Sequence, residues 1–318
     1  MSALLEVNDL RIDFGTVTAV AGVSFKIEAG ETYAIVGESG SGKTTVIRAI
    51  AGLLPSHSGS VKFEGKELRG LPERDFRPLR RDIAMMFQDP SGSLSPRQTV
   101  RSIVTEPYRI QGMKDRDLDA EGIRLLEMVG LTKDFSGRYP YQLSGGQARR
   151  VGVARALALE PKLILADEPT AGLDVSVQGE LLNLLNDLRE RLGLAMAIIT
   201  HNLNVVRHVA DRMGIMYLGR FVEEGTTEAI FASPRHPYTL CLLSANPEPD
   251  PDAEIERIAL KGEPPSLHNR PTGCEFRARC PFAEDICERT PTWETVDQHG
   301  LRCLLPLDIV GKAVVSSD

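Results

Sequence analysis

No stretch of this chain approaches the ~18 consecutive apolar residues that would cross a bilayer as a helix, so no membrane-spanning helix is expected. The opening residues, MSALLEVNDLRIDFG, carry Glu6, Asp9 and Asp13 and lack an apolar h-region. A secretory signal peptide is therefore not expected, and the chain is expected to stay in the cytoplasm. An excess of positive charge is missing too. With 44 acidic against 37 basic residues and a net charge of −7, the chain does not read as a general nucleic-acid binder, and no nucleic-acid partner is expected. Internal repeats and heptads are lacking, and cysteine is absent before Cys241. What remains is globular material of 318 residues, 42% hydrophobic and 25% charged. That is enough for one large domain with an appendix.

Leu4, Val7, Leu10 and Ile12, then Val23, Phe25 and Ile27, alternate as short antiparallel strands with one wet face do. Residues 32–36 form a continuous apolar run that suits a strand buried on both sides. A glycine-rich turn follows, then a helix expected over 44–54 and stopped by Pro55. Residues 92–158 read as mostly helical, with breaks at Pro107, Gly130 and Pro140. Two further buried strands are expected at 162–166 and 195–200. Between them a helix over 177–192 places Leu181, Leu184, Leu185 and Leu188 on one face. Such alternation predicts an α/β fold, a mostly parallel sheet with helices on both faces. Residues 246–252, NPEPDPD, read as an acidic, proline-rich linker.

Three motifs carry chemistry. Gly37-Glu38-Ser39-Gly40-Ser41-Gly42-Lys43-Thr44 fits G-x-x-x-x-G-K-[ST] between a predicted strand and a predicted helix. Glycines let successive N–H groups turn inward and cradle phosphate oxygens, and the helix adds its positive end. Lys43 supplies charge to the β- and γ-phosphates, and the Thr44 hydroxyl suits Mg²⁺. The second motif, Leu163-Ile164-Leu165-Ala166-Asp167-Glu168, delivers two carboxylates at the carboxyl end of a buried strand, where open α/β sheets bind ligands. Asp167 is the candidate Mg²⁺ partner and Glu168 the candidate general base for water. The third, Leu143-Ser144-Gly145-Gly146-Gln147, opens a predicted helix with Ser144 as its N-cap. Two phosphate-grade loops in one chain suggest that the second serves another chain's nucleotide.

Together these residues resemble the nucleotide-binding subunit of an ABC transporter, whose signature is LSGGQ. Gln88 in MMFQDP resembles that family's glutamine loop, Ala171-Gly172-Leu173-Asp174 its D-loop, and His201 its switch histidine. Phe14 stands where the family places an aromatic that stacks on adenine. The resemblance implies a P-loop NTPase fold of the ABC type over residues 1–235, with a mostly parallel core, an antiparallel β subdomain and a helical subdomain over about 91–160, followed by a small extension over 236–318. ATP and Mg²⁺ are the implied cofactors. Lys43, Gln88, Glu168 and His201 are the implied catalytic residues, and Thr44, Gln88 and Asp167 the implied Mg²⁺ set. Nucleotide contacts are implied for Phe14, Gly37, Glu38, Ser39, Gly40, Ser41, Gly42, Lys43, Thr44, Thr45, Gln88 and Asp167. Across a head-to-tail dimer they come from Ser144, Gly145, Gly146, Gln147 and Asp174. Ala148-Arg149, Gly172 and Asn202 depart from the residues usual at those positions.

FQDPSGSLSPRQTV, DEPTAGLDVSVQ, MYLGRFVEEG and HPYTLCLLSANP narrow the resemblance to the dipeptide, oligopeptide and nickel importer ATPases. It implies a second ATPase subunit, identical or related, two transmembrane permease subunits contacted around Gln88 and residues 91–143, and indirectly an extracytoplasmic substrate-binding protein. The implied location is peripheral, on the cytoplasmic face of the inner membrane. A soluble ABC protein of translation or DNA repair is the competing reading, and the single ATP module without heptads speaks against it. Finally, Cys274, Cys280, Cys287 and Cys303 follow C-x5-C-x6-C-x15-C. From the residues alone, an iron–sulfur cluster, tetrahedral zinc or free structural thiols are all open, with His299 as a possible alternative ligand. The importer resemblance favours [4Fe–4S]. Cys241 reads as core.

Overall fold

The computed structural model describes residues 3–245, 258, 260 and 262–305; the expected linker over 246–252 lies outside them. Twelve strands occur among the described residues: β1 Leu5–Phe14, β2 Val17–Ile27, β3 Thr32–Val36, β4 Ser58–Phe63, β5 Lys66–Glu67, β6 Ile83–Met86, β7 Leu163–Asp167, β8 Ala195–Thr200, β9 Arg212–Tyr217, β10 Arg220–Thr226, β11 Glu294–Val296 and β12 His299–Leu301. They form two sheets. The smaller runs β2-β1-β4-β5 and is antiparallel, as the alternation at the start of the chain predicts. The larger runs β11-β12-β10-β9-β3-β8-β7-β6.

Every pairing from β9 through β3, β8 and β7 to β6 is parallel. Every residue of β3, β7 and β8 is buried, because both faces of this part of the sheet are covered. Leu163, Leu165, Ala197 and Ile199 turn toward a core shared with the antiparallel sheet and helix Lys43–Ile50. Ile164, Ala166, Met196 and Ile198 turn toward the other, shared with helices Val100–Ile110, Leu118–Met128, Gly145–Leu157 and Val175–Leu192. One strand therefore feeds two cores through its period-2 alternation.

Two helical expectations need correction. The first helix ends at Ile50, not Leu54, because Gly52 takes φ +68°, the left-handed turn that closes a helix before Pro55 is reached. Pro107 does not break its helix; Val100–Ile110 runs through it. The proline removes one N–H near the last turn, but Val100, Ile103, Val104 and Tyr108 are buried on both sides of it in one core. Packing outweighs a single missing hydrogen bond.

The C-terminal extension joins the main sheet directly. Hairpin β11–β12 adds antiparallel to β10, with Glu223 opposite Leu301. That docking seats His299 Nε2 2.6 Å from Oε1 of fully buried Glu223. The same carboxylate accepts from the backbone N–H groups of Arg235 at 2.7 Å and His236 at 3.1 Å. A buried carboxylate needs this many donors to offset its lost hydration. His236 is itself buried and caps helix Pro237–Ser244 by accepting the Tyr238 N–H at Nδ1, 3.0 Å away.

Burial pushes His236 down to about 4 from its ordinary 6.5. Its folded pKa is depressed, so its neutral form stabilises the fold fully above pH 6.5. As pH falls from about 6.5 to about 4 the unfolded chain takes the proton first, and roughly 3 kcal/mol is lost. Denaturant unfolding across that window should show the slope, and His236→Asn, which keeps a capping oxygen, should flatten it. An equal slope in the variant would remove His236 as its source.

Candidate functional site

The parallel register brings the carboxyl ends of β3, β7 and β8 to one edge, with Val36 opposite Thr200 and Asp167 opposite Ile199. The loop 37–42 leaves β3 at that edge and enters helix Lys43–Ile50. Its glycines answer to close approach. A Cβ on Gly37 would stand 2.2 Å from the Met216 carbonyl, and one on Gly42, at φ +104°, 2.6 Å from that of Ala19. Ser39 and Gly40 line the outer bend, Ser41 is buried, and Thr45 follows in the first helical turn. Lys43 is buried with its Nζ donating to Gly37 O at 2.7 Å and Glu38 O at 2.8 Å. Burial pulls its pKa below the ordinary lysine value, while Glu168, Asp167 and Glu38 pull the other way.

Thr44 Oγ1 donates to Asp167 Oδ1 at 3.0 Å. Asp167 is almost fully buried, and burial raises its pKa against the opposing pull of the Thr44 hydroxyl and Arg48. Hydroxyl and carboxylate are the hard oxygen donors that Mg²⁺ selects, so the Thr44–Asp167 pair fits that ion.

Glu168 is the focus of the site. Gln88 Nε2 donates to its Oε2 at 2.7 Å, and His201 Nδ1 hydrogen-bonds its Oε1 at 3.0 Å. Three separate segments thus meet on one carboxylate. Its backbone takes φ +46°, the left-handed region that a non-glycine residue enters at a cost, and its N–H donates to Ile199 O at 2.9 Å. The strain turns the Glu168 side chain out at the sheet edge while Asp167 faces Thr44. A carboxylate so held, beside a buried lysine, is equipped to take a proton from water next to a phosphate.

Ser144 caps helix Gly145–Leu157 as expected. Its Oγ accepts the Gln147 N–H at 3.3 Å, and Gln147 Oε1 accepts the Ser144 N–H at 3.0 Å. Gly146 has a packing reason as well, since a Cβ there would stand 2.7 Å from Val177 Cγ1. Gly145 faces Leu173 more loosely, and Asp174 occupies the N-cap position of helix Val175–Leu192 without a side-chain capping bond. The partners of Ser144–Gln147 thus lie in its own helix and beside residues 173–177, whereas loop 37–44 bonds to the sheet and the C-terminal extension. Phe14 ends β1 half exposed.

Arg149 and Asn202, departures in sequence, have clear roles in space. The Arg149 guanidinium is buried and donates to Ala171 O at 2.8 Å and Phe87 O at 3.4 Å. It ties the helix after Ser144 to the loops that carry Gln88 and Asp174. Asn202 Oδ1 accepts the Asn204 N–H at 3.0 Å and caps helix Leu203–Val209, a task Asn performs as well as Asp. Arg279 went unmarked in the sequence, yet it reaches Glu38 with both terminal nitrogens. No residue pattern announces a pair so distant in the chain.

Cys274, Cys280, Cys287 and Cys303 share one apolar cluster with Phe276 and Leu305, and all are free thiols. Burial pushes Cys280 up to about 12 and Cys303 to about 11, and each of these two thiols is close enough to Cys274 and Cys287 to be raised further by their charge. Among the described residues no group of three or more His, Cys, Asp or Glu is placed to hold a metal ion. His299 is spent on Glu223 and is not a ligand candidate.

Comparison with known proteins places these features. The ABC transporter family model matches residues 20–171, and that of the oligopeptide/dipeptide transporter C-terminal region matches 222–287. The chain is 45% identical over 319 residues to the oligopeptide transport ATP-binding protein OppF of Escherichia coli (strain K12), covering 95% of this chain and 96% of that protein. It is 46% identical over 306 residues to the putative oligopeptide transport ATP-binding protein YkfD of Bacillus subtilis (strain 168), covering 92% of each. Among solved structures, a dimeric ATP-binding cassette in a post-hydrolysis state with ADP and Pi superposes with a TM-score of 0.64 at 31% identity, covering 70% of this chain and 98% of that one. Another, cbiO1 of Clostridium perfringens, part of the cbiONQ ABC transporter complex, gives 0.66 at 29% identity, covering 73% and 92%.

Gly37→Ala should destabilise the fold by about 2 kcal/mol, since the new methyl meets backbone that cannot step aside. Gly137→Ala, where a Cβ meets nothing within 4 Å, should be near neutral. Urea midpoints compare the two, and equal midpoints would contradict the packing account.

Proposed function

Since this chain belongs to the ABC transporter ATP-binding family, we propose that it is the ATP-hydrolysing subunit that energises import of di- or oligopeptides. The observation that carries the catalytic assignment is the convergence of Gln88 and His201 on Glu168, beside Lys43 and the Thr44–Asp167 pair. Peptide cargo is supported by the names of the relatives and by the match to the peptide-transporter C-terminal region.

In this reading the N–H groups of loop 37–44 and the Lys43 ammonium bind the β- and γ-phosphates, with Ser39, Gly40 and Thr45 among the contacts. Thr44, Asp167 and Gln88 would hold Mg²⁺, which supplies charge neutralisation at the phosphates. Glu168 accepts the proton of the attacking water, and His201, fixed against it, holds its orientation and contacts the γ-phosphate. Phe14 presents a half-exposed ring for the adenine. Ser144, Gly145, Gly146 and Gln147, together with Asp174, complete the site of a second ATPase subunit, so each nucleotide lies between two chains.

A groove of about 290 Å³ runs between β6 and the helical region, lined by Leu53, Phe87, Glu106, Pro107 and Ile110. Leu53, Phe87 and Ile110 expose large apolar surfaces there, next to Gln88. It suits a cytoplasmic segment of a permease subunit, which would place the chain peripherally on the inner membrane and couple hydrolysis to two permeases served by an extracytoplasmic binding protein. Among the described residues no helix is long and apolar enough to cross a membrane.

For the four cysteines we favour a [4Fe–4S] cluster. Their membership of one apolar cluster supports it, since four cysteines brought together are what such a cluster takes as ligands.

Two tests follow from these assignments. Glu168→Gln should retain MgATP binding while turnover drops by at least about 100-fold; undiminished turnover would take the base role away from Glu168. Protein purified without oxygen should carry about four irons and four sulfides per chain by elemental and sulfide assay, and Cys280→Ser should lose them. Iron-free wild-type protein would end the cluster assignment.

A further inference from the structure

Beyond residue 235 the chain returns to the nucleotide loop and grips one residue of it. Glu38 has each of its polar groups engaged. Its backbone N–H donates to the hydroxyl of Tyr238 at 3.0 Å. Its carbonyl accepts Lys43 Nζ at 2.8 Å and the Ser41 N–H at 3.2 Å. Its carboxylate is met two-for-two by Arg279, Nη1 on Oε2 at 2.7 Å and Nη2 on Oε1 at 2.9 Å. Such a fork fixes orientation as well as distance.

Arg279 is built into its place. It is 4% exposed, lies 5.8 Å from the Tyr217 ring centroid, and belongs to the turn between Cys274 and Cys280. Tyr217, Tyr238 and Phe276 pack ring against ring around it, with centroids 4.9 to 5.3 Å apart. A second arginine of the same segment, Arg270, donates to Thr18 O at 2.7 Å, on the strand that follows Phe14. The extension is thus fastened on the phosphate side and the Phe14 side of one site.

Charge makes the pairing consequential. An unpaired carboxylate at Glu38 would repel the triphosphate that Lys43 is there to attract. The Glu38 carbonyl is also one of the three acceptors that hold Lys43 Nζ, with Gly37 O and Ser41 Oγ, so a shift of Glu38 shifts the ammonium. We propose that Arg279 is a positioning residue for ATP: from the C-terminal extension it neutralises and fixes Glu38, and through the Glu38 carbonyl it sets Lys43 in register with the phosphates. The extension is then a working part of the nucleotide site. This rests on the reading of residues 37–44 as the phosphate loop.

Full-length protein, assembled as the transporter, tests it through the KM for ATP, kcat and melting temperature. Arg279→Gln should raise KM about tenfold with kcat within about twofold of wild type. Arg279→Lys, which keeps the charge and loses the fork, should raise it about threefold. Adding Glu38→Gln to Arg279→Gln should bring KM back toward the wild-type value, because the repelling carboxylate is gone. A lowered melting temperature with unchanged KM in Arg279→Gln would overturn the proposal and leave Arg279 as a fastener of the extension alone. So would a double variant no better than Arg279→Gln. If Arg279→Gln fails to fold, Arg279→Lys decides: a raised KM supports the proposal and a wild-type KM overturns it. Lys43→Ala separates the two levels. It should abolish nucleotide binding, and normal ATP affinity there would overturn the phosphate-loop reading itself, whatever Arg279 does.

Discussion

The parallel alignment of β3, β8 and β7 is the constraint on which the rest depends. Parallel neighbours point their carboxyl ends the same way, so the loops after all three open at one edge. That alignment holds because each strand is largely apolar on both faces, with helices over one face and the antiparallel sheet and helix Lys43–Ile50 over the other, which turns residues far apart in the chain into neighbours. Thr44 and Asp167 are 123 residues apart and share a hydrogen bond. Gln88 and His201 reach the same carboxylate from opposite sides.

Around that edge the fold works against its own desolvation costs. Lys43 and Asp167 are both buried, and burial disfavours the ionised form of each. Their proximity offsets part of the cost. The same economy governs the far edge of the sheet, where Glu223 is fully buried and satisfied by two backbone N–H groups and His299. His236 links the regions. Its backbone serves Glu223, its ring caps the helix that carries Tyr238, and Tyr238 receives the N–H of Glu38. A series of hydrogen-bonded residues thus links the last hairpin to loop 37–42.

Much of this was legible in the residues. The strands over 32–36, 162–166 and 195–200 stand close to where the apolar runs put them, and the N-cap at Ser144 is where the motif required it. Local rules failed where packing outvoted them. Pro107 reads as a helix end, yet buried neighbours carry the helix through it. Arg149 and Asn202 read as departures from a pattern, and each turned out to fill a structural post.

The residues alone specified the α/β class and the order in which the family's motifs follow one another. Those properties live in short windows, where backbone preference, glycine spacing and side-chain chemistry act over a few residues. Packing of distant segments is what makes Gln88 and His201 share Glu168, and what makes Arg279 clasp Glu38 from 241 residues away. A pairing across that distance leaves no mark in either window, because it exists only once two cores have brought the partners within bonding reach.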